Sequence, residues 1–117
     1  MIELTLPYPP SVNTYWRKWN NHMVISAKGK EYKQKVITII APLHLPVITC
    51  FVAMDIKIYS DSARKRDVDN NLKSLLDALT AAKVWVDDYQ VQKITIERMG
   101  IDPERKGYCE VKIQCLT

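Results

Sequence analysis

A chain of 117 residues suits a single domain spanning residues 1–117 and leaves little room for a second core. Its residues are 47% hydrophobic and 26% charged, which is too apolar for a disordered chain, and no apolar run approaches the ~20 residues of a membrane span. The net charge of +4 is compatible with a polyanionic partner but does not identify one.

Ile2, Leu4 and Leu6 alternate with Glu3 and Thr5, the period of a strand with one buried face. Pro7, Pro9 and Pro10 end it, because proline cannot donate to a ladder. Residues 11–25 read as a long irregular segment rich in Asn, aromatic and basic residues. Ser26 is a candidate N-cap for a helix over 27–40, where Tyr32, Val36, Ile39 and Ile40 recur at helical spacing. Pro42 and Pro46 follow it. Val52, Met54, Ile56 and Ile58 then alternate with Ala53, Asp55, Lys57 and Tyr59, predicting a strand over 48–59.

A loop over 60–69 carries R-K-R-D-V-D at 64–69. Leu72, Leu75, Leu76 and Leu79 form an i, i+3, i+4, i+7 stripe that predicts a helix over 70–82, with Asp69 as its N-cap. Val84, Trp85 and Val86 are a short apolar run ending at Asp87 and Asp88, and Trp85 is assigned to the core. The segments 91–99 and 108–116 read as two strands of a hairpin, joined through the turn residues Gly100, Pro103 and Gly107. The expected fold class is α+β. Its order is β-α-β-α-β-β, with two helices packed on a mixed, mostly antiparallel sheet. Cys50, Cys109 and Cys115 show no CxxC spacing and no secretory signal precedes them, so reduced thiols in a cytosolic protein are expected.

The chemistry concentrates in R-K-R-D-V-D. Basic residues attract phosphate, whereas clustered carboxylates repel it unless a divalent cation lies between them. In extended backbone Asp67 and Asp69 leave the same face. Asp87 and Asp88 follow about nineteen residues later, after a helix ~18 Å long and its return. One of that pair would face Asp67 and Asp69, and the other would point away. Three carboxylates with no nearby His form a hard oxygen site suited to Mg²⁺ rather than zinc or iron. Divalent cations held there could activate water and stabilise a leaving oxygen. The bland alternative is a solvated loop with a helix cap. A calcium loop would need Gly where Leu72 stands and Glu where Ala78 stands.

Asn70, Lys73 and Asp77 share a flanking helix face. Lys73 either stabilises charge at a scissile phosphate or forms a surface pair with Asp77. Arg64, Lys65 and Arg66 are candidate phosphate contacts. Arg17 and Lys18 interleave with Tyr15, Trp16 and Trp19, a pattern that serves either base stacking or core and subunit contacts.

P-P-S-V-N at 9–13, K-R-D-V-D-N at 65–70, Lys73, D-A-L-T at 77–80 and W-V-D-D-Y-Q-V at 85–91 together resemble the RusA-type Holliday-junction resolvases. These are small endonucleases often carried by phages and prophages. The resemblance implies a Mg²⁺-dependent homodimer, with Mn²⁺ as a possible substitute, that nicks four-way DNA junctions symmetrically in recombination and repair. It implies catalytic and metal-binding roles for Asp67, Asp69 and Asp88, and an essential Lys73. DNA contacts are expected from Arg64, Lys65, Arg66, Asn13 and Arg17. The expected setting is the cytoplasm of a bacterial or phage-infected cell, with no membrane partner and no nucleotide cofactor. A branched- or single-stranded-DNA-binding module without cleavage, and a nuclease acting on flaps or linear strands, are the alternative readings.

Overall fold

A computed structural model describes residues 1–11, 15–63 and 69–116. The main sheet has four strands, β1 (Ile2–Pro7), β4 (Val52–Ser60), β5 (Val91–Ile101) and β6 (Tyr108–Cys115), in the order β1-β6-β4-β5. The pairs β1/β6 and β6/β4 are antiparallel and β4/β5 is parallel, so the sheet is mixed and mostly antiparallel as expected. Helices α1 (Ala27–Ile40) and α2 (Leu72–Ala81) pack against one of its faces.

The core follows from the strand alternation. Leu4 and Leu6 of β1, Val52, Met54, Ile56 and Ile58 of β4, and Cys109, Val111 and Ile113 of β6 point to one side. There they meet Tyr32, Val36 and Ile40 of α1 and Leu75, Ala78 and Leu79 of α2. Trp85 is buried as expected, and its indole N–H donates to Thr80 Oγ1 at 2.7 Å. Ser26 caps α1 as its position suggested, its hydroxyl accepting from Gly29 N–H at 3.1 Å.

Several expectations are corrected. The segment read as irregular contains a β-hairpin, β2 (Trp16–Trp19) paired with β3 (His22–Ile25). Its two-residue turn is Asn20-Asn21, both at positive φ (45° and 62°), which asparagine tolerates and a primed turn requires. Segments 91–99 and 108–116 do not form a hairpin, because β4 lies between β5 and β6. The connection crosses that strand with a turn organised by Asp102. Its carboxylate accepts the backbone N–H groups of Glu104 (3.0 Å), Lys106 (3.3 Å) and Gly107 (2.9 Å). Strand β4 starts at Val52, not 48, because Ile48 pairs instead with Trp85 as an isolated bridge.

Cys50 and Cys115 form a disulfide across the start of β4 and the end of β6, against the expectation of three free thiols. The strand register explains it: Val52 lies opposite Cys115, so Cys50 need only fold back by two residues. Cys109 stays free and buried.

Candidate active site

The first half of the site is a bridge between the chain's proline-rich turn and the start of α2. Asn71 is buried, and its side-chain amide donates to the Pro9 carbonyl at 2.6 Å. Ser74 Oγ, also buried, donates to the Pro10 carbonyl at 2.7 Å. This arrangement corrects the expected cap. The helix begins at Leu72 rather than 70, and Asn71 occupies the cap position without a side-chain cap hydrogen bond. Asp69 contributes its carbonyl, which accepts from Leu72 N–H at 3.1 Å. Its carboxylate is left exposed ahead of the helix, a position where the helix dipole favours negative charge.

The second half rises from the middle of α2. The Lys73 ammonium donates to Asp77 Oδ1 at 3.0 Å, and the Tyr15 hydroxyl donates to Asp77 Oδ2 at 3.0 Å. Tyr15 is fully buried beside α1. A Cβ on Gly29 would sit 2.9 Å from the Tyr15 ring and 2.6 Å from Ile25 Cγ2, so only glycine lets helix, tyrosine and hairpin approach this closely. Burial, together with the Asp77 carboxylate, pushes the Tyr15 phenol well above its ordinary range.

The acidic pair Asp87-Asp88 opens a single turn of 3-10 helix, Asp88–Gln90. Asp87 accepts from Tyr89 N–H at 3.0 Å, and that bond holds its carboxyl below the ordinary range. Gln90 fixes the turn at both ends. Its Oε1 accepts from Val86 N–H (2.9 Å) and Asp87 N–H (3.1 Å), while its Nε2 donates to the carbonyls of Ile48 (2.9 Å) and Cys50 (3.0 Å). Asp88 is half-buried and Asp87 is exposed, and the two carboxyls are hydrogen-bonded neighbours rather than turned apart as expected. Burial and the Asp87 carboxylate hold Asp88 above the ordinary carboxylate range. The Lys73 ammonium pulls the other way, and Asp77 adds to the rise.

Lys73 and Asp77 are paired on α2, Asp69 stands ahead of the same helix, and both members of the pair bear on the Asp88 carboxyl. Asp67, Arg64, Lys65, Arg66 and Asn13 lie outside the described residues. No group of three potential ligands close enough to hold a metal occurs among the described residues. The Asp69 and Asp88 carboxylates are all-oxygen donors without imidazole or thiolate, a donor chemistry that fits a hard divalent cation. Asp88 also gains from one: a nearby positive charge would offset the burial and the Asp87 contact that raise its pKa.

Arg17 lies on the exposed hairpin, its guanidinium 5.4 Å from the centre of the Trp19 ring. Trp19 and Met23 are exposed, whereas Tyr15 is core. Tyr15 thus takes the core role, and Trp19 stays outside the core. Gln90, Asn71 and Ser74 were not singled out from the sequence, although each lies within or beside the acidic motifs.

The α+β scaffold thus carries Lys73 and Asp77 on one helix, Asp69 ahead of its first turn and Asp88 on a separate 3-10 turn. The family described as Endodeoxyribonuclease RusA matches residues 7–114, and the chain belongs to that family. It is 43% identical over 98 residues to a crossover junction endodeoxyribonuclease of Enterobacteria phage HK97, covering 82% of this chain and 81% of that protein. It is 37% identical over 99 residues to the enzyme of the same name from Shigella sonnei, covering 84% and 82%. It is 36% identical over 99 residues to that of Escherichia coli K12, again covering 84% and 82%.

Proposed function

We propose that this protein is a divalent-metal-dependent, structure-selective endonuclease that resolves four-way DNA junctions by paired, symmetric nicking during recombination and repair. The observation that carries the reading is the Lys73–Asp77 pair at 3.0 Å in the first turns of α2, behind the exposed Asp69, in a chain of the RusA endodeoxyribonuclease family. Asp67, Asp69 and Asp88 would hold the cation, and Mg²⁺ suits their all-oxygen chemistry, with Mn²⁺ as a substitute. When bound, the cation supplies Lewis-acid polarisation of the phosphodiester and a lowered pKa for an attacking water.

The remaining work falls to the chain's own groups. Lys73, aimed by Asp77, stabilises negative charge that grows on the phosphate oxygens. Gln90 and Asn71 hold their segments in place on either side of it. Arg64, Lys65, Arg66, Asn13 and Arg17 grip backbone phosphates, which position the DNA without reading sequence. Each chain carries one such site, so two nicks require two copies related by a two-fold axis.

The deciding experiment incubates a labelled four-way junction with the protein, with and without Mg²⁺, alongside flap and linear duplex controls. Metal-dependent, paired nicks in the junction are expected. Asp69→Asn should abolish cleavage while junction binding persists, because losing a negative charge eases phosphate approach. Binding without a nicked product under any divalent ion would return the protein to the binding-module reading, and preferential cutting of flaps would redirect the substrate.

A further inference from the structure

Two aromatic rings stand out of the surface at the turn that carries Asp88. Tyr89, the next residue, is 73% exposed, and Phe51, just ahead of β4, is 51% exposed. Their centroids lie 6.2 Å apart with the planes inclined at 67°, an edge-to-face pair. Rings of that size are ordinarily drawn into the core, as Tyr15, Tyr32 and Trp85 are. No role in the chemistry above falls to either Phe51 or Tyr89.

Several bonds hold the segments that bear the two rings. Tyr89 N–H donates to Asp87 Oδ1 at 3.0 Å, and the Tyr89 carbonyl accepts from Gln92 Nε2 at 2.8 Å. Gln90 Nε2 donates to the Cys50 carbonyl at 3.0 Å, which ties the turn bearing Tyr89 to the residue before Phe51. The Phe51 carbonyl accepts from Leu116 N–H at 2.8 Å, and the Cys50–Cys115 disulfide joins the same two segments. Lys93 is exposed on β5 opposite Ala53, which lies two residues from Phe51 and so shares its face. Exposed rings with a cation on the neighbouring strand supply what a nucleotide needs: a π-face for the base and positive charge for its phosphate.

We propose that Phe51 and Tyr89 form a stacking platform for an unpaired base next to the phosphate held at Asp88, and that the pair thereby favours branched over linear DNA. This rests on the endonuclease reading above and adds how its site recognises a branch. Adjacent Cα atoms are ~3.8 Å apart, so a base one position from a phosphate at Asp88 comes within reach of the Tyr89 ring. In a linear duplex each base is stacked on both faces, and the platform finds no open π-face. At a branch point the stack is interrupted, and releasing a base costs least there. Stacking accepts any base, because every base has a π-face, so the platform reads shape and not sequence. A second protein chain would also cover apolar rings. Their place on the acidic turn itself, with Lys93 on the adjoining strand, points to DNA instead.

The test measures binding in buffer free of divalent ions, so it stands apart from cleavage. Tyr89→Ala and Phe51→Ala should each weaken binding to a four-way junction on the order of tenfold, with linear-duplex binding unchanged. Tyr89→Trp, which keeps a broad ring, should bind the junction as the wild type does. A photoreactive iodouracil at the branch point should cross-link to Tyr89 or Phe51, and the same base inside a linear duplex should not. Thermal melts of the variants should match the wild type; if Phe51→Ala melts lower, Tyr89→Ala decides. Junction binding untouched by Tyr89→Ala, an equal loss on junction and duplex, or cross-links confined to other residues overturns the platform. A lowered mass of the alanine variants on sedimentation would assign the rings to a protein contact and overturn it as well. A wild-type chain that binds the junction but cuts no DNA with Mg²⁺ overturns the endonuclease reading alone, and the binding and cross-linking results still decide the platform.

Discussion

Lys73 and Asp77 are joined at 3.0 Å across one turn of α2, and the same carboxylate is held from its other side by the buried Tyr15 hydroxyl. An exposed i, i+4 ion pair contributes only ~0.3–0.5 kcal/mol to a helix, so stability alone gives this pair little purpose. Its consequence is positional. Tyr15 fixes Asp77, Asp77 fixes the half-exposed ammonium, and the ammonium lies within electrostatic reach of Asp88. Lys73→Ala should therefore slow junction cleavage by roughly 10²–10³-fold, the scale of a lost charge-stabilising donor, while changing unfolding free energy by less than ~0.5 kcal/mol. Single-turnover cleavage paired with urea denaturation separates the two, and full activity would reduce Lys73 to a surface partner of Asp77.

Tyr15→Phe isolates the hydroxyl. The ring keeps its packing against Gly29 and its edge contact with Trp16, but the bond to Asp77 goes, at a cost of ~0.5–1.5 kcal/mol. The pH dependence follows from the raised phenols of Tyr15 and Tyr32, which burial keeps neutral in the folded state. A folded pKa raised above the unfolded one contributes stability that is complete below pH ~10 and is lost as pH rises further. The slope is about 1.4 kcal/mol per pH unit for each tyrosine. Denaturation midpoints measured from pH 8 to 11 should hold steady and then fall, less steeply in the phenylalanine variant.

The acidic pair should behave asymmetrically. Asp88→Asn removes the half-buried carboxylate coupled to Lys73 and should lower cleavage by about 10³-fold or more, the loss expected when transition-state charge stabilisation fails. Asp87→Asn leaves an amide oxygen able to accept Tyr89 N–H, so the turn survives and the rate should change by less than about tenfold. Equal losses in the two variants would show that the exposed member also takes part in the chemistry.

On the hairpin, Trp19 is exposed and Arg17 packs over its face, so neither holds the core. Arg17→Ala should weaken junction binding and reduce the salt slope of log K by about one phosphate's worth. Trp19→Ala should weaken binding by ~1–3 kcal/mol if the ring stacks on an unpaired base at the junction's centre. Titrations at two or more salt concentrations check both, with thermal melts expected to stay unchanged.

What the sequence disclosed follows the length scale of each signal. The alternation in Val52–Ile58 and the i, i+4 run in 27–40 are local periodicities, and both elements form where those patterns lie. The hairpin at 16–25 was missed because its strands have four residues each, too few for a period to emerge. Only Asn20-Asn21 betrayed it. The pairing of 91–99 with 108–116 failed for a different reason: neighbours in sequence do not reveal a strand inserted between them from elsewhere. Asp69 looked like a cap from its residue type, yet Asn71 takes that position because Pro9 offers its side chain a better-placed carbonyl from 62 residues away. The acids were legible because their chemistry is written in residue identity. Their supports, Gln90 and Ser74, were not, since an amide or hydroxyl in a motif gives no sign of which distant carbonyl it will find.

The disulfide offers a last test, of packing near the site. Cys50 and Cys115 are separated by 65 residues and tie the entry of β4 to the end of β6. Closing a loop of that length should stabilise the fold by about 2–4 kcal/mol, mainly by restricting the unfolded chain. Cys50 also supplies a carbonyl to Gln90, so loosening it relaxes the turn that carries Asp88. Reduction, or Cys50→Ser, should lower the urea midpoint accordingly and slow cleavage modestly while leaving the helical signal intact. Cys109 should not interfere, because burial pushes its thiol up to about 12 and keeps it from thiol exchange at neutral pH. Alkylation of the native protein should label no cysteine before reduction and two after it. Labelling of Cys50 and Cys115 without reductant would show the pair to be open and remove the expected stabilisation.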